Sequence, residues 1–264
     1  MIDNKIVYDK DNLKESLDEF YSLYEKRPIN DNHGGMTSSH LFNTWYALRQ
    51  LKPKLVIESG VWKGLGTWVI EQALPEAKII SIDVTWQHLK YQSPNSMYLD
   101  QDMTLYDWER MFAEAEEEHG IAKSDILVFL DDHQDFPSRL KFLSGLGIQS
   151  ILYEDNYPPS QGDTLSPKKI LACQDYVMDY AGDRHHHQYS YEYYDMFTSL
   201  VETYQELPPI YKTDQTRWGD PWTEDRYPTK EPLMKLEEQS VYPIFAEEAK
   251  GYTWICYMGL KNET

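Results

Sequence analysis

The chain has 264 residues, and 25 lysine plus arginine against 44 aspartate plus glutamate residues give a formal net charge of −19. A hydrophobic fraction of 41% and a charged fraction of 26% are those of a globular protein, which excludes a disordered or fibrous chain. The acidic balance disfavours nucleic acid and anionic membranes as partners, because both are bound through clustered lysine and arginine. No run of about 18 apolar residues and no secretion signal is present, so we expect a cytoplasmic protein.

The first part of the chain shows apolar residues at helical spacing. One predicted helix covers residues 11–26, and a second runs from about residue 38 to Leu51, just before Pro53. A polar, glycine-containing loop at residues 30–35 connects them. We expect residues 1–52 to form a pair of N-terminal helices that pack on a core made by residues 53–264.

From Lys54 onward, short apolar runs alternate with helical patterns. The predicted strands cover residues 54–58, 78–83, 96–99, 125–131 and 149–154. Strands that alternate with helices in this way predict a mostly parallel α/β sheet with helices on both faces, a Rossmann-like arrangement. Binding sites in such sheets lie beyond the carboxyl ends of the strands.

Residues 157–235 are less regular and rich in proline and aromatic residues, so we interpret them as an insertion or lid. Helices are predicted near 167–180 and 189–206. The aromatic stretch 217–222 is suited to stacking on a sugar or aromatic substrate. The alternatives are aromatic packing within the long loop and a contact between subunits of a homo-oligomer. Two late strands, about 241–246 and 252–259, are predicted to form an antiparallel hairpin through Lys250-Gly251.

A glycine-bearing loop follows the first predicted strand. Its pattern is E-x-G-x-x-x-G-x-G from Glu58, and an acid, Asp83, ends the next strand. This arrangement resembles the first motifs of class I S-adenosylmethionine-dependent methyltransferases. The resemblance implies that Glu58, Gly60, Gly64 and Asp83 bind the cofactor, with Asp83 on the ribose hydroxyls. It also implies the class I methyltransferase sheet.

Acidic residues end the two strands that follow. Asp131 and Asp132 come after one strand, and Glu154, Asp155 and Asn156 come after the next. Because adjacent parallel strands lie about 4.8 Å apart, these groups should meet. Carboxylates this close repel one another, and a divalent cation relieves that repulsion. Oxygen ligands of this kind suit Mg²⁺, or another hard divalent cation.

The same two segments resemble those of metal-dependent O-methyltransferases of the catechol and caffeoyl-CoA type, and those of macrocin-type sugar O-methyltransferases. The resemblance implies Asp131, Asp155 and Asn156 as metal ligands, with Asp132 as an alternative to Asp131. The catechol-type enzymes carry a base lysine three residues after the first aspartate. This chain has glutamine or aspartate there. We therefore consider His133 and His33 as candidate bases.

Together these features predict a magnesium-assisted methyl transfer from S-adenosylmethionine to a hydroxyl of a small molecule or a sugar. Two alternatives stay open at this point. One is a nicotinamide-dependent oxidoreductase on a similar sheet, which the glycine spacing disfavours. The other is a cofactor-binding protein without catalytic activity.

Overall fold

A computed structural model describes residues 5–172, 176–178, 184–186 and 190–261. The α-helices in chain order are α1 Lys10–Tyr24, α2 Ser38–Leu51, α3 Leu65–Ala73, α4 Trp108–His119, α5 Phe136–Gly145, α6 Pro167–Leu171, α7 Ser190–Leu200 and α8 Pro243–Glu248. The strands are β1 Leu55–Ser59, β2 Lys78–Ile82, β3 Ser96–Leu99, β4 Ile126–Leu130, β5 Ser150–Tyr153, β6 Tyr176–Met178, β7 Arg184–His186, β8 Val201–Glu206 and β9 Cys256–Leu260.

Seven strands form one sheet in the order β3-β2-β1-β4-β5-β9-β8. The first five are parallel, whereas β9 runs antiparallel to both of its neighbours, β5 and β8. The predicted mostly parallel, Rossmann-like sheet with an antiparallel C-terminal pair is confirmed. A separate two-stranded pair, β6 and β7, lies within the 157–235 insertion.

Both faces of the sheet are covered, and alternate strand residues divide between two cores. On β4, Leu127 and Phe129 belong to the core that contains α1, α2 and α3, while Ile126, Val128 and Leu130 belong to the core with α4, α5 and α7. This two-sided burial explains why the strands are continuous apolar runs rather than alternating patterns. The N-terminal helices thus pack on one face of the sheet.

The partner strand of the antiparallel pair was predicted wrongly. Residues 243–248 form helix α8 instead of a strand, because Pro243 cannot donate to a sheet ladder but fits the first turn of a helix. The partner of β9 is β8, at residues 201–206, where the sequence had predicted the end of a helix. Helix α6 ends at Leu171, shorter than predicted, and part of that prediction lies outside the described residues.

None of the helices within the described ranges is both long enough and apolar enough to cross a lipid bilayer.

Candidate active site

A cavity of about 740 Å³ opens at the carboxyl ends of the central strands. Its walls come from the loops after β1, β2, β3 and β4, from Arg139 on α5, from the N-terminal loop at Gly34-Gly35, and from the insertion at residues 157–163 and 217–218. Small-molecule sites in proteins typically enclose about 300–1,000 Å³. The cavity therefore has the size and the place in the sheet expected of a small-molecule site.

The loop between β1 and α3 depends on glycine at two positions. Gly60 and Gly64 have φ angles of +91° and +93°, which side chains other than glycine rarely adopt. A Cβ on Gly60 would lie 1.9 Å from the carbonyl oxygen of Asp131, and one on Gly64 would lie 2.3 Å from that of Tyr91. Both glycines thus allow the loop to press against neighbouring backbone, and Gly60 brings it against the end of β4.

Asp83 lies at the end of β2 and holds this loop. One carboxylate oxygen accepts hydrogen bonds from the backbone N–H groups of Val61 and Trp62, each at 3.0 Å. The other oxygen accepts from the N–H of Thr85 at 3.0 Å. Asp83 also lines the cavity, so it fixes the loop and faces the space beside it. Its contact with ribose hydroxyls stays a prediction.

Glu58 does not line the cavity. Its side chain is fully buried behind the loop, where one carboxyl oxygen accepts hydrogen bonds from Thr67 Oγ1 at 2.5 Å and Ser81 Oγ at 3.0 Å. Burial raises the pKa of Glu58 to about 8, even though these hydrogen bonds favour the ionised form. The structure therefore places Glu58 behind the loop as its support, and a direct contact of Glu58 with the cofactor stays a prediction.

The raised pKa of Glu58 gives a stability prediction. Between its ordinary value of 4.5 and about 8, the folded state holds a proton that the unfolded chain has lost, so stability falls as pH rises, by up to about 1.4 kcal/mol per pH unit. Glu58→Gln removes this titration. We expect the free energy of unfolding of the variant, relative to the native protein, to increase from pH 5 to pH 8 in urea titrations.

The control for this prediction is Glu237→Gln, at an exposed position. The difference between this variant and the native protein should not depend on pH over the same range. A pH-independent difference for Glu58→Gln as well would show that the Glu58 carboxyl is not protonated in the folded protein.

The acids at the ends of β4 and β5 converge as predicted from the strand register. Asp131, His133 and Asp155 each offer one ligand atom, and these atoms all lie within 4.8 Å of one another. Asp155 is 1% exposed, and its Oδ1 has no hydrogen-bond partner among the described residues. A buried carboxylate oxygen without a donor is unfavourable unless a cation or a proton satisfies it.

The acids of this cluster repel one another, and the nearby positive charges of His133 and Arg217 offset this repulsion only in part. Burial raises the pKa of Asp131 well above its usual range, and the nearby charges of Glu154 and Asp155 raise it further. The pKa of Glu154 is raised in the same way, by burial and then by Asp155. Mutual repulsion of this kind is what a bound divalent cation would relieve. The residues present therefore fit a metal ion.

His133 lies at the edge of the cluster, in a left-handed conformation with φ of +52°. Its Nδ1 is 3.2 Å from Asp163 Oδ1 and 3.7 Å from Asp155 Oδ2. Burial alone would lower the pKa of His133, but the hydrogen bond with Asp163 and the charges of Asp155 and Asp131 outweigh it and raise the pKa to about 10. Without a metal the ring is thus cationic at neutral pH.

The structure distinguishes Asp131 from Asp132. Asp132 accepts hydrogen bonds from Ser59 Oγ at 2.7 Å and from Arg139 Nε at 2.9 Å. The same guanidinium donates to both carboxylate oxygens of Asp102, at 3.1 and 2.6 Å. Asp132 is therefore held by Arg139, and Asp131 is the member of the pair that joins the cluster.

Two further predicted site residues are Asn156 and His33. The Asn156 side chain is buried, its Nδ2 donates to Tyr204 and its Oδ1 accepts the backbone N–H of Lys168, each at 2.9 Å. Its amide oxygen thus caps α6, and its role as a metal ligand stays a prediction. His33 is exposed, and only the glycines that follow it line the cavity. Its carbonyl oxygen accepts from Trp62 Nε1 at 3.2 Å.

Sequence reasoning missed a buried group behind the cluster, His40 on α2. Its Nε2 accepts the backbone N–H of Thr253 at 2.8 Å, and its Nδ1 lies 3.1 Å from Glu154 Oε1. Burial, with a smaller effect from Arg217, lowers its pKa to about 3, so the ring is neutral. No spacing in the sequence marks this contact, because it joins residues more than 100 positions apart.

The insertion supplies the remaining wall. Tyr157, Asp163, Arg217 and Trp218 line the cavity opposite the glycine loop. The ring of Trp218 is stacked on Trp254, with centroids 6.2 Å apart and planes at 8°. The aromatic stretch predicted at 217–222 to contact a substrate thus does lie at the cavity.

Comparison with known proteins gives distant likenesses only. No family model matches the sequence, and no curated protein matches it. Among solved structures, the chain is similar to the O-methyltransferase from Bacillus cereus in complex with SAH, with 11% identity and a TM-score of 0.44 over 95% of this chain and 90% of that one. It is also similar to the O-methyltransferase TomG from Streptomyces achromogenes in complex with SAM, with 10% identity and a TM-score of 0.45 over 94% and 90%.

Such low similarity assigns no substrate and no residue role to this chain. The class of the fold follows from the sheet itself. Five parallel strands, a final strand inserted antiparallel at one side and helices on both faces make this a Rossmann-like fold of the class I methyltransferase type. Function has to come from the site rather than from the fold.

Proposed function

We propose that this protein is an S-adenosylmethionine-dependent O-methyltransferase that uses a divalent cation, Mg²⁺ or a similar ion, to act on a hydroxyl of a small molecule or sugar unit. One observation carries the proposal. A single cavity joins a glycine loop held by Asp83 to the Asp131–Asp155 carboxylate cluster, in which burial and mutual repulsion raise the pKa of Asp131. A cofactor site and a metal site in one cavity suit a metal-assisted transfer.

The cofactor would lie along the loops after β1 and β2. Residues 59–62 and 82–84 form this side of the cavity, and Asp83 holds the loop by accepting the backbone N–H of Trp62. The glycine spacing favours S-adenosylmethionine over a nicotinamide dinucleotide, whose fingerprint is G-x-G-x-x-G.

Asp131 and Asp155 would hold the cation, with Glu154 beside them and His133 at the open side. A divalent cation there supplies a positive charge that lowers the pKa of an acceptor hydroxyl. In the transfer, the bond between the methyl carbon and the sulfonium sulfur breaks as the bond to the acceptor oxygen forms. The electron pair stays on sulfur to give S-adenosylhomocysteine, and the hydroxyl proton passes to a base.

His133 is the base that the geometry favours, since its ring lies within 4 Å of Asp155, whereas His33 is not among the residues that line the cavity. His133 can accept a proton only after losing its own. The positive charge of a bound cation opposes protonation of the ring, so metal binding would free His133 for this role.

The metal site should therefore release protons when it is filled. Asp131, Glu154 and His133 all have raised pKa values, so each binds a proton more readily than usual, and a cation would compete with those protons. We expect the apparent affinity for Mg²⁺ to rise with pH, by up to about tenfold per pH unit for each proton displaced. Calorimetry in buffers of different ionisation enthalpy measures this release, and His133→Asn should reduce it. Affinity that is independent of pH would contradict the protonated cluster.

The first test of the function is a thermal-shift titration with S-adenosylhomocysteine and with NAD, each with Mg²⁺ and with EDTA. A ligand at about 100 times its dissociation constant stabilises a protein by roughly 2.7 kcal/mol, which corresponds to about 5–10 °C for a chain of this size. We expect a shift with S-adenosylhomocysteine. A shift with NAD alone would support an oxidoreductase, and binding of S-adenosylhomocysteine without Mg²⁺ binding would support a non-catalytic protein.

A further inference from the structure

The insertion wall of the cavity carries a guanidinium that lacks an acidic partner. The cationic side chains that line the cavity are Arg139, His133 and Arg217. Arg139 is paired with Asp102 and Asp132, and His133 lies against Asp163. Within the described part of the chain, no carboxylate forms an ion pair with Arg217, and its side chain is exposed. Its charge is thus available to a ligand in the cavity.

Arg217 lies on the acidic-cluster side of the cavity and away from the predicted cofactor loop. Its charge acts on Glu154 and Tyr157, which follow β5, opposing the rise in their pKa. Asp83 follows β2, and the sheet order places β1 and β4 between β2 and β5. Three strand spacings of about 4.8 Å separate these positions by roughly 14 Å. Arg217 is therefore placed to meet the acceptor rather than the ribose.

Trp218 provides a fixed ring beside this charge. It stacks on Trp254 with an interplanar angle of 8°, and its ring meets Tyr157 edge-on with centroids 6.1 Å apart. It also stacks on Tyr227 at 24°. These contacts hold the indole in one orientation while part of it lines the cavity. A flat apolar surface of this kind suits an aromatic ring or the apolar face of a sugar.

We propose that the methyl acceptor is a ring-bearing hydroxy acid whose carboxylate pairs with Arg217 and whose ring packs on Trp218, with the hydroxyl directed to the Asp131–Asp155 cluster. This inference rests on the proposed function. The planar guanidinium matches a carboxylate with two parallel hydrogen bonds, which lysine cannot make. An acidic acceptor also suits this site because its carboxylate would form the ion pair that Arg217 does not make with any of the described residues.

The test uses the full chain saturated with S-adenosylhomocysteine and Mg²⁺, and measures dissociation constants by calorimetry for two matched pairs of probes. The first pair is 3,4-dihydroxybenzoate and catechol, and the second is D-glucuronate and D-glucose. The members of each pair differ essentially in the carboxylate. We expect the acid to bind at least about tenfold more tightly than its neutral counterpart in one pair, the ratio that a charge-assisted bidentate contact gives.

Variants assign this preference to Arg217. Arg217→Gln should bring the ratio between acid and neutral probe close to one, and Arg217→Lys should retain part of it. The matched control is Arg226→Gln, because Arg226 is on the same segment but pairs with Asp220 and does not line the cavity. It should leave the ratio unchanged. Thermal unfolding of each variant checks that the fold is retained.

Four results would overturn the inference while leaving the proposed function intact. In the first, the acids have no advantage over the neutral probes in either pair. In the second, none of the four probes binds. In the third, the advantage of the acids persists in Arg217→Gln. In the fourth, Arg217→Gln weakens binding of S-adenosylhomocysteine or of Mg²⁺ instead of changing the ratio, which would mean that Arg217 serves the cofactor or the cluster. Failure of the native protein to bind S-adenosylhomocysteine would overturn both proposals.

Discussion

Gly60→Ala is expected to destabilise the protein by about 2–5 kcal/mol and to abolish binding of S-adenosylhomocysteine. The φ angle of +91° accounts for about 1–2 kcal/mol of this loss, because a side chain is strained in that region. The larger part comes from crowding. The new Cβ would lie 1.9 Å from the carbonyl oxygen of Asp131 and 2.8 Å from the N–H nitrogen of Asp132, and both are backbone atoms that cannot rotate away.

Gly120→Ala separates the two contributions. Gly120 also has a positive φ, of +63°, but a Cβ there would meet nothing within 4 Å. We expect this control to lose only about 1 kcal/mol and to bind S-adenosylhomocysteine normally. Urea unfolding gives the stabilities, and calorimetry gives the affinities. Equal losses in the two variants would mean that Gly60 is needed for its backbone angle alone, and not for the approach of the loop to β4.

Backbone hydrogen bonds connect the glycine loop to the ends of the neighbouring strands. Asp131 N–H donates to the carbonyl oxygen of Ser59 at 2.7 Å, and Gly60 N–H donates to that of Ile82 at 2.9 Å. The ends of β1, β2 and β4 are thereby joined by backbone hydrogen bonds at the point where both predicted sites begin. A displacement of the glycine loop must move Asp131, so the proposed cofactor and metal sites are mechanically one unit.

The central sheet could be predicted from sequence because its strands are buried on both faces. An apolar run such as residues 126–130, bounded by acids, has few other interpretations. Strand β8 could not be found in this way, because its pairing with β9 joins residues at least 50 positions apart and its own sequence also suits the end of α7. Local patterns carry no information about such a partner.

The site was predictable to the level of strand ends but not to the level of side-chain direction. Glu58 and Asp131 are both acids at the end of an apolar strand, yet Glu58 turns inward to Thr67 and Asp131 turns toward Asp155. The choice between Asp131 and Asp132 depended on Arg139, seven residues further along, whose reach the sequence does not reveal. Direction is set by tertiary partners, and these are visible only in the structure.

Asp155→Asn is expected to weaken Mg²⁺ binding by at least about 100-fold and to lower methyl transfer by about 1,000-fold, while S-adenosylhomocysteine binds as before. The substitution keeps the shape of the side chain and removes one charge from a buried cluster. A catalytic metal contributes several kcal/mol of charge stabilisation, and about 4 kcal/mol corresponds to a factor of 1,000 in rate. Metal affinity is measured by calorimetry. The rate of methyl transfer is measured with an acceptor that the native protein methylates in the presence of Mg²⁺.

The same substitution should stabilise the metal-free protein against thermal unfolding. Asp155 contributes to the raised pKa of both Asp131 and Glu154, so removing its charge relieves repulsion within the cluster. In EDTA near neutral pH, Asp155→Asn should therefore unfold at a higher temperature than the native protein, and Mg²⁺ should stabilise only the latter. The control is Asp195→Asn, at an exposed acid on α7. It should change neither the unfolding temperature in EDTA nor the stabilisation by Mg²⁺.

If Asp155→Asn were less stable than the native protein in EDTA, or retained full turnover there, Asp155 would serve the fold and not a metal ion. The change in unfolding temperature caused by Asp155→Asn should thus be positive in EDTA and negative in Mg²⁺. This reversal is specific to a carboxylate cluster that binds a cation, because loss of a structural hydrogen bond would lower the unfolding temperature equally in both conditions.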